Sequence, residues 1–176
     1  NILYEKVARY IFENKIIGFF NDQMEFGARA LGNRSILANP CNPKIQDIIN
    51  SKIKRREMFR PFAPSILSEK KNEWFSNSFP NPYMSAVEKI DENKRHLIPA
   101  VTHIDGTGRV QTVTKEINSD FHLLIEKFYQ ISNVPILLNT SFNENEPIVM
   151  NPDHAINCFL RTDMDVLVLN KYIVLR

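Results

Sequence analysis

Short apolar runs and amphipathic helical stripes alternate irregularly along this chain, which confines it to a layered fold mixing helices with a sheet. Residues 2–13 put Ile2, Leu3, Val7, Tyr10 and Ile11 on roughly one helical face, and residues 16–20 then read as a buried strand. A short strand is expected over residues 35–38. Asn42 and Pro43 supply an N-cap and first-turn signal for a helix whose stripe is Ile45, Ile48, Ile49 and Ile53. Lys54, Arg55 and Arg56 end that helix, where cations suit the macrodipole. Further on, residues 62–67 read as a strand, 69–75 as a short helix, 76–82 as a surface loop and 83–89 as strand-like. Residues 99–104 and 109–114 are expected to form a hairpin across Asp105-Gly106-Thr107-Gly108. A helix over 119–132 carries Phe121, Leu124, Ile125 and Phe128 on one face. Residues 135–139 follow as a strand, 152–161 as a helix, and 166–169 with 172–175 as closing strands. Hairpins mixed with helices indicate an α/β (α+β) fold rather than a regular doubly wound sheet.

With 176 residues the chain can enclose one core of its own. Lys and Arg number 22 against 20 acidic residues, a balance that argues against a dedicated nucleic-acid binder. Any positive charge that matters is therefore local. No apolar run approaches the roughly 18 residues a membrane span needs. Cys41 and Cys158 lack metal-ligand spacing and read as reduced thiols of a cytoplasmic protein. Asn1 opens the chain without an initiator Met, and the natural polypeptide is expected to continue upstream.

Local charge is concentrated in two blocks, Gly27-Ala28-Arg29-Ala30-Leu31-Gly32-Asn33-Arg34-Ser35-Ile36 and Lys54-Arg55-Arg56-Glu57-Met58-Phe59-Arg60-Pro61-Phe62-Ala63-Pro64. Both set cations among Gly- or Pro-bounded residues, where a side chain is held in place. Arginine presents a rigid, permanently charged fork suited to phosphate and carboxylate. Arg29, Arg34, Lys54, Arg60 and Arg109 are thus candidate ligands for a polyanion, a nucleotide above all. Ion-paired struts, with Glu25 and Glu57 as partners, are the alternative. There is no Walker A loop and no Gly-x-Gly-x-x-Gly, so a nucleotide site would need another geometry. The turn at Thr107 offers backbone N–H groups to a phosphate or simply closes a hairpin. His103 and Asp105 read as a hydrogen-bonding pair rather than a zinc site, while His96, His122 and His154 read as surface residues. Asn139-Thr140-Ser141-Phe142-Asn143 ends a buried strand, where α/β folds place binding groups; a polar turn is the plainer alternative. Ser141, with no His-Asp relay in sight, reads as a hydrogen-bonding group and not a nucleophile.

These blocks, with residues 102–113 and 139–149, together resemble the C-terminal domain of the carbamoyltransferase family of nodulation and antibiotic-tailoring O-carbamoyltransferases. Ala28 stands where that family usually has Pro, and Met58 where it often does. The resemblance implies a single domain over residues 1–176, with a YrdC-like twisted mixed sheet flanked by helices. It implies that the domain binds ATP, with Mg2+, and carbamoyl phosphate, and forms carbamoyl adenylate. An actin-like N-terminal domain of the same polypeptide, holding the family's metal site, would pass the carbamoyl group to an acceptor hydroxyl. Carried onto this sequence, Lys54, Arg60 and Arg109 are the expected catalytic cations. Arg29, Arg34, Thr107, Asn139, Ser141 and Asn143 are the expected nucleotide contacts, and no metal ligand is expected here. The competing expectations are a noncatalytic RNA-binding module and a scaffold whose nucleotide site has decayed.

Overall fold

A computed structural model describes residues 2–176. Its frame is a seven-stranded mixed sheet. In chain order the strands are β1 (Ile17–Phe20), β2 (Arg34–Ala38), β3 (Ala63–Leu67), β4 (Glu88–Lys89), β5 (Thr107–Gly108), β6 (Gln111–Val113), β7 (Ile136–Ser141), β8 (Val166–Leu169) and β9 (Tyr172–Leu175). The large sheet runs β6-β3-β7-β2-β1-β8-β9, and β4 pairs with β5 in a separate two-stranded ribbon. Only β3/β6 and β1/β8 are parallel; the remaining pairs are antiparallel. Every residue of β1, β2 and β3 is buried, the pattern of strands covered on both faces.

The described residues form α-helices α1 (Ile2–Phe12), α2 (Ile45–Ile48), α3 (Ser119–Ser132) and α4 (Pro152–Arg161), of which α1, α3 and α4 pack on the sheet. The stripe Phe121, Leu124, Ile125 and Phe128 is wholly buried, so α3 packs along β3 and β7 as its periodicity demands. Asn118 caps its start by accepting from the Phe121 N–H at 3.0 Å, and Asn133 ends it in the left-handed conformation. Helix α2 passes directly into a π-helical segment, Ile49–Ile53, where one continuous α-helix was expected. The wider turn closes with the Lys54 N–H on the Ile49 carbonyl at 2.8 Å and buries Ile49, Asn50, Ile53 and Lys54 together. An isoleucine stripe alone does not reveal the extra residue per turn.

The expected hairpin of residues 99–104 and 109–114 does not form. Pro99–Val101 is a 3-10 turn, β5 pairs with β4, and β6 joins the main sheet parallel to β3. Gly106 (φ +78°) makes the turn, but Thr107 and Gly108 beyond it pair with Lys89 and Glu88 of β4. The strand expected over residues 83–89 shrinks accordingly to β4. His122, expected at the surface, is buried and meets Glu69 at 2.9 Å through Nε2.

Candidate functional site

Strand β7 is central in the sheet and turns from apolar to polar at its end, Asn139-Thr140-Ser141. The loop preceding β2 reaches these residues because Glu25 organises it: one carboxylate oxygen accepts from the backbone N–H groups of Leu31 (2.6 Å) and Asn33 (2.7 Å). Gly32 (φ +114°) supplies the turn a side chain would forbid. The loop between α2 and β3 arrives from another side. Buried Asn50 shapes it, donating to the Met58 and Arg60 carbonyls at 3.2 and 3.0 Å and accepting from Arg56 Nε at 2.8 Å. Arg109, just beyond β5, comes from a third.

These segments enclose two adjoining cavities that share Arg56, Pro61, Phe62 and Arg109. One, of about 120 Å3, is bounded by Asn139, Thr140, Ser141, Arg29 and Met84. The other, of about 270 Å3, adds Arg60, Val87 and His103. No carboxylate is among the described residues lining either. Burial, and then Arg29, pulls the Arg109 guanidinium below its ordinary range; burial, and then Arg60, does the same to Arg56. Arg109 Nε is buried without a hydrogen-bond partner among the described residues. Like charges gathered at a partly buried lining without a carboxylate are costly, a cost that an anion would relieve.

Of the sequence candidates, Arg29, Arg60, Arg109, Asn139 and Ser141 line this basin. Arg60 shares its charge with Glu57 at 2.9 Å, both side chains being about half exposed. The other four are placed differently. Arg34 is buried on the Phe20 ring, 3.5 Å from its centroid, and donates to the carbonyls of Asn21, Asp22 and Asn33. It is a strut holding the loop, with backbone oxygens where an anion was expected. Lys54, only 2% exposed, lies outside the basin lining. Its ammonium donates to the carbonyls of Ser141 (2.5 Å) and Asn143 (2.7 Å) and to Asn143 Oδ1 (2.7 Å). It therefore pins the end of β7, and burial, then Arg56, pushes its pKa down to about 7. Asn143 is spent between Lys54, Ser141 Oγ (2.7 Å) and the Glu146 carbonyl (2.6 Å).

Thr107 likewise faces its own turn. Its N–H and hydroxyl both donate to Asp105 Oδ1, at 3.0 and 2.7 Å. With that hydroxyl proton committed, Thr107 Oγ1 can only accept from His103 Nδ1–H at 3.1 Å, which leaves His103 Nε2 as a lone-pair acceptor. Burial lowers the His103 pKa against the pull of Asp105, with Arg109 lowering it further, which favours the neutral ring. Sequence reasoning missed Arg56 as a basin residue, because at the end of a helix stripe it reads as a macrodipole partner. Asn50, which aims it, carries no sequence signal. A separate cavity of about 250 Å3 beside α4 holds Arg161, but Glu146 already compensates that charge at 2.6 Å.

Comparison with known proteins adds a family. The family described as "Carbamoyltransferase C-terminus" matches residues 8–176. The chain belongs to that family. Its domain is 47% identical over 175 residues to the nodulation protein NolNO of Sinorhizobium fredii, covering 96% of the chain and 25% of that protein. It is 44% identical over 171 residues to NolO of Bradyrhizobium diazoefficiens, covering 95% and 31% respectively. This carbamoyltransferase C-terminal domain thus spans between a quarter and a third of the length of these relatives. Among solved structures, full-length HypF in its phosphate- and nucleotide-bound form matches 96% of the chain and 25% of its own, with a TM-score of 0.67 at 19% identity. P. abyssi Sua5 complexed with L-threonine matches 98% of the chain and 52% of its own, with a TM-score of 0.61 at 16% identity. At these identities the likeness establishes the fold, which is YrdC-like, as the sequence resemblance implies.

Proposed function

We propose that this domain binds ATP and carbamoyl phosphate in the arginine basin and joins them as carbamoyl adenylate. A further domain of the same polypeptide then passes the carbamoyl group to an acceptor hydroxyl. One observation carries the reading: in a carbamoyltransferase-family domain, Arg29, Arg56 and Arg109 converge on the end of β7 with no carboxylate lining the cavity. That donor set suits several phosphate oxygens at once. The nodulation relatives and the phosphate- and nucleotide-bound HypF support it.

The chemistry asks for this electrostatic setting. Water cleaves carbamoyl phosphate to carbamate and phosphate. A carbamate oxygen then bonds to the α-phosphorus of ATP while the bond to the departing pyrophosphate breaks. Negative charge builds on the equatorial oxygens and on the leaving group, and fixed guanidinium groups stabilise it as it develops. Arg29, Arg56 and Arg109 hold phosphate oxygens. Ser141, positioned by Lys54, supplies a polar contact at the strand end. Among the described residues no group of three or more His, Cys, Asp or Glu could hold a metal. Mg2+ would then arrive with ATP, held by phosphates and water.

The test is pyrophosphate release from ATP by the full-length protein, with and without carbamoyl phosphate. Release should require carbamoyl phosphate, and Arg109→Ala should lower it on the order of 100-fold or more. Release that ignores carbamoyl phosphate, or an R109A rate equal to wild type, refutes the reading. Steeply salt-dependent RNA binding in its place would favour an RNA-binding module.

A further inference from the structure

The basin offers donors almost everywhere, yet one of its lining residues supplies a buried acceptor with nothing to accept. Asn139 is 1% exposed and lines the smaller cavity. Its amide nitrogen is hemmed in by Ser65 Oγ (3.0 Å), Gln111 Oε1 (3.0 Å) and the Ala30 carbonyl (3.3 Å). Those neighbours are themselves locked. Ser65 donates its hydroxyl to Gln111 Oε1 at 2.7 Å, and Gln111 Nε2 donates to the Leu31 carbonyl at 2.8 Å. Flipping the Asn139 amide would set its oxygen against two carbonyl-type acceptors, so its orientation is fixed. Its Oδ1 is buried without a partner among the described residues.

A buried acceptor in this state selects a ligand that brings an N–H or O–H donor. Guanidinium groups hold phosphate and carbonyl oxygens equally well in any acyl phosphate, so they cannot tell one acyl group from another. Building on the function proposed above, we propose that Asn139 Oδ1 accepts from the carbamoyl amino group and makes Asn139 the residue that distinguishes carbamoyl phosphate from other acyl phosphates. The smaller cavity then holds the carbamoyl end beside Arg29, Arg56 and Arg109. The nucleoside occupies the wider space past His103, where Phe59, Pro61 and Ile104 line a cavity of about 480 Å3. This moves Asn139 from the nucleotide, its expected ligand, to the carbamoyl group.

Acetyl phosphate is the probe, because it replaces the amino group with methyl at nearly the same shape and charge. Calorimetric titration of the full-length protein measures binding of each acyl phosphate without requiring turnover. Wild type should bind carbamoyl phosphate at least about tenfold more tightly than acetyl phosphate. Asn139→Leu should weaken carbamoyl phosphate by a similar factor while leaving acetyl phosphate within about threefold, which closes the gap. Equal affinities in wild type overturn the proposal without any variant, so a poorly folded N139L protein does not shelter it. A variant that weakens both ligands alike, or that weakens ATP instead, also overturns it. These titrations stand apart from the pyrophosphate assay. A protein that discriminates but releases no pyrophosphate refutes the proposed reaction and not the role of Asn139.

Discussion

Replacing Lys71 with Met isolates the one ion pair in the described residues that is sealed from water on both sides. Lys71 and Glu88 side chains are each 3% exposed, and Lys71 Nζ donates to Glu88 Oε1 at 2.9 Å and to the Phe79 carbonyl. Removing the ammonium leaves a buried carboxylate whose nearest remaining donor is Asn81 Nδ2 at 3.5 Å, too far to compensate it. Breaking such a pair from one side costs about 3–5 kcal/mol. For a domain of this size that lowers the melting temperature by roughly 10 °C. The double variant Lys71→Met/Glu88→Leu removes both charges and should be more stable than K71M, with a coupling of about 2 kcal/mol or more. Urea unfolding of wild type, both single variants and the double variant measures the cycle. Additive losses, or a K71M cost below about 1 kcal/mol, would show that the pair does not hold residues 76–89 in place. Met84, which lines the basin, is carried by that segment.

Three further outcomes follow from particular contacts. A methyl added at Gly32 would sit 2.3 Å from the Phe121 ring in a backbone with φ +114°, so Gly32→Ala should cost about 3 kcal/mol or more; a melting temperature within 2 °C or so of wild type contradicts this. Burial, then Glu146, pushes the Cys158 thiol up to about 12, so a thiol reagent at pH 8 should modify it only after denaturation; stoichiometric reaction in the native state would be the contrary result. Lys54 titrates near 7 when folded and near 10.4 when unfolded, so the unfolded chain binds more protons across that window. Stability should therefore rise from pH 7 to about 10, and Lys54→Met should remove the rise; parallel wild-type and variant urea midpoints would refute it.

Helix α3 is legible because one apolar period fixes its buried face, and β7 because residues 135–139 form a short apolar run, although the strand continues to Ser141. The region 83–114 is not. Thr107-Gly108 can turn a local hairpin or pair with Glu88-Lys89, and only the position of the parallel neighbour β3 decides between them. The cationic blocks raise the expectation of a polyanion site, but do not say which of their cations line a cavity. An arginine that holds a loop and one that lines a cavity have the same sequence context. Each leaves its Nε without a partner among the described residues; what separates Arg34 from Arg109 is the set of backbone carbonyls that the fold delivers to the Arg34 terminal nitrogens. His122 and Glu69 meet across 53 residues, a partnership that no local pattern encodes.

Three guanidinium groups brought to one lining that holds no carboxylate store electrostatic repulsion in the fold. An anion bound among them would relax that repulsion, so occupancy and stability would rise together. Multivalent anions such as sulfate are therefore expected to raise the melting temperature of the domain above its value in dilute buffer, before any substrate arrives.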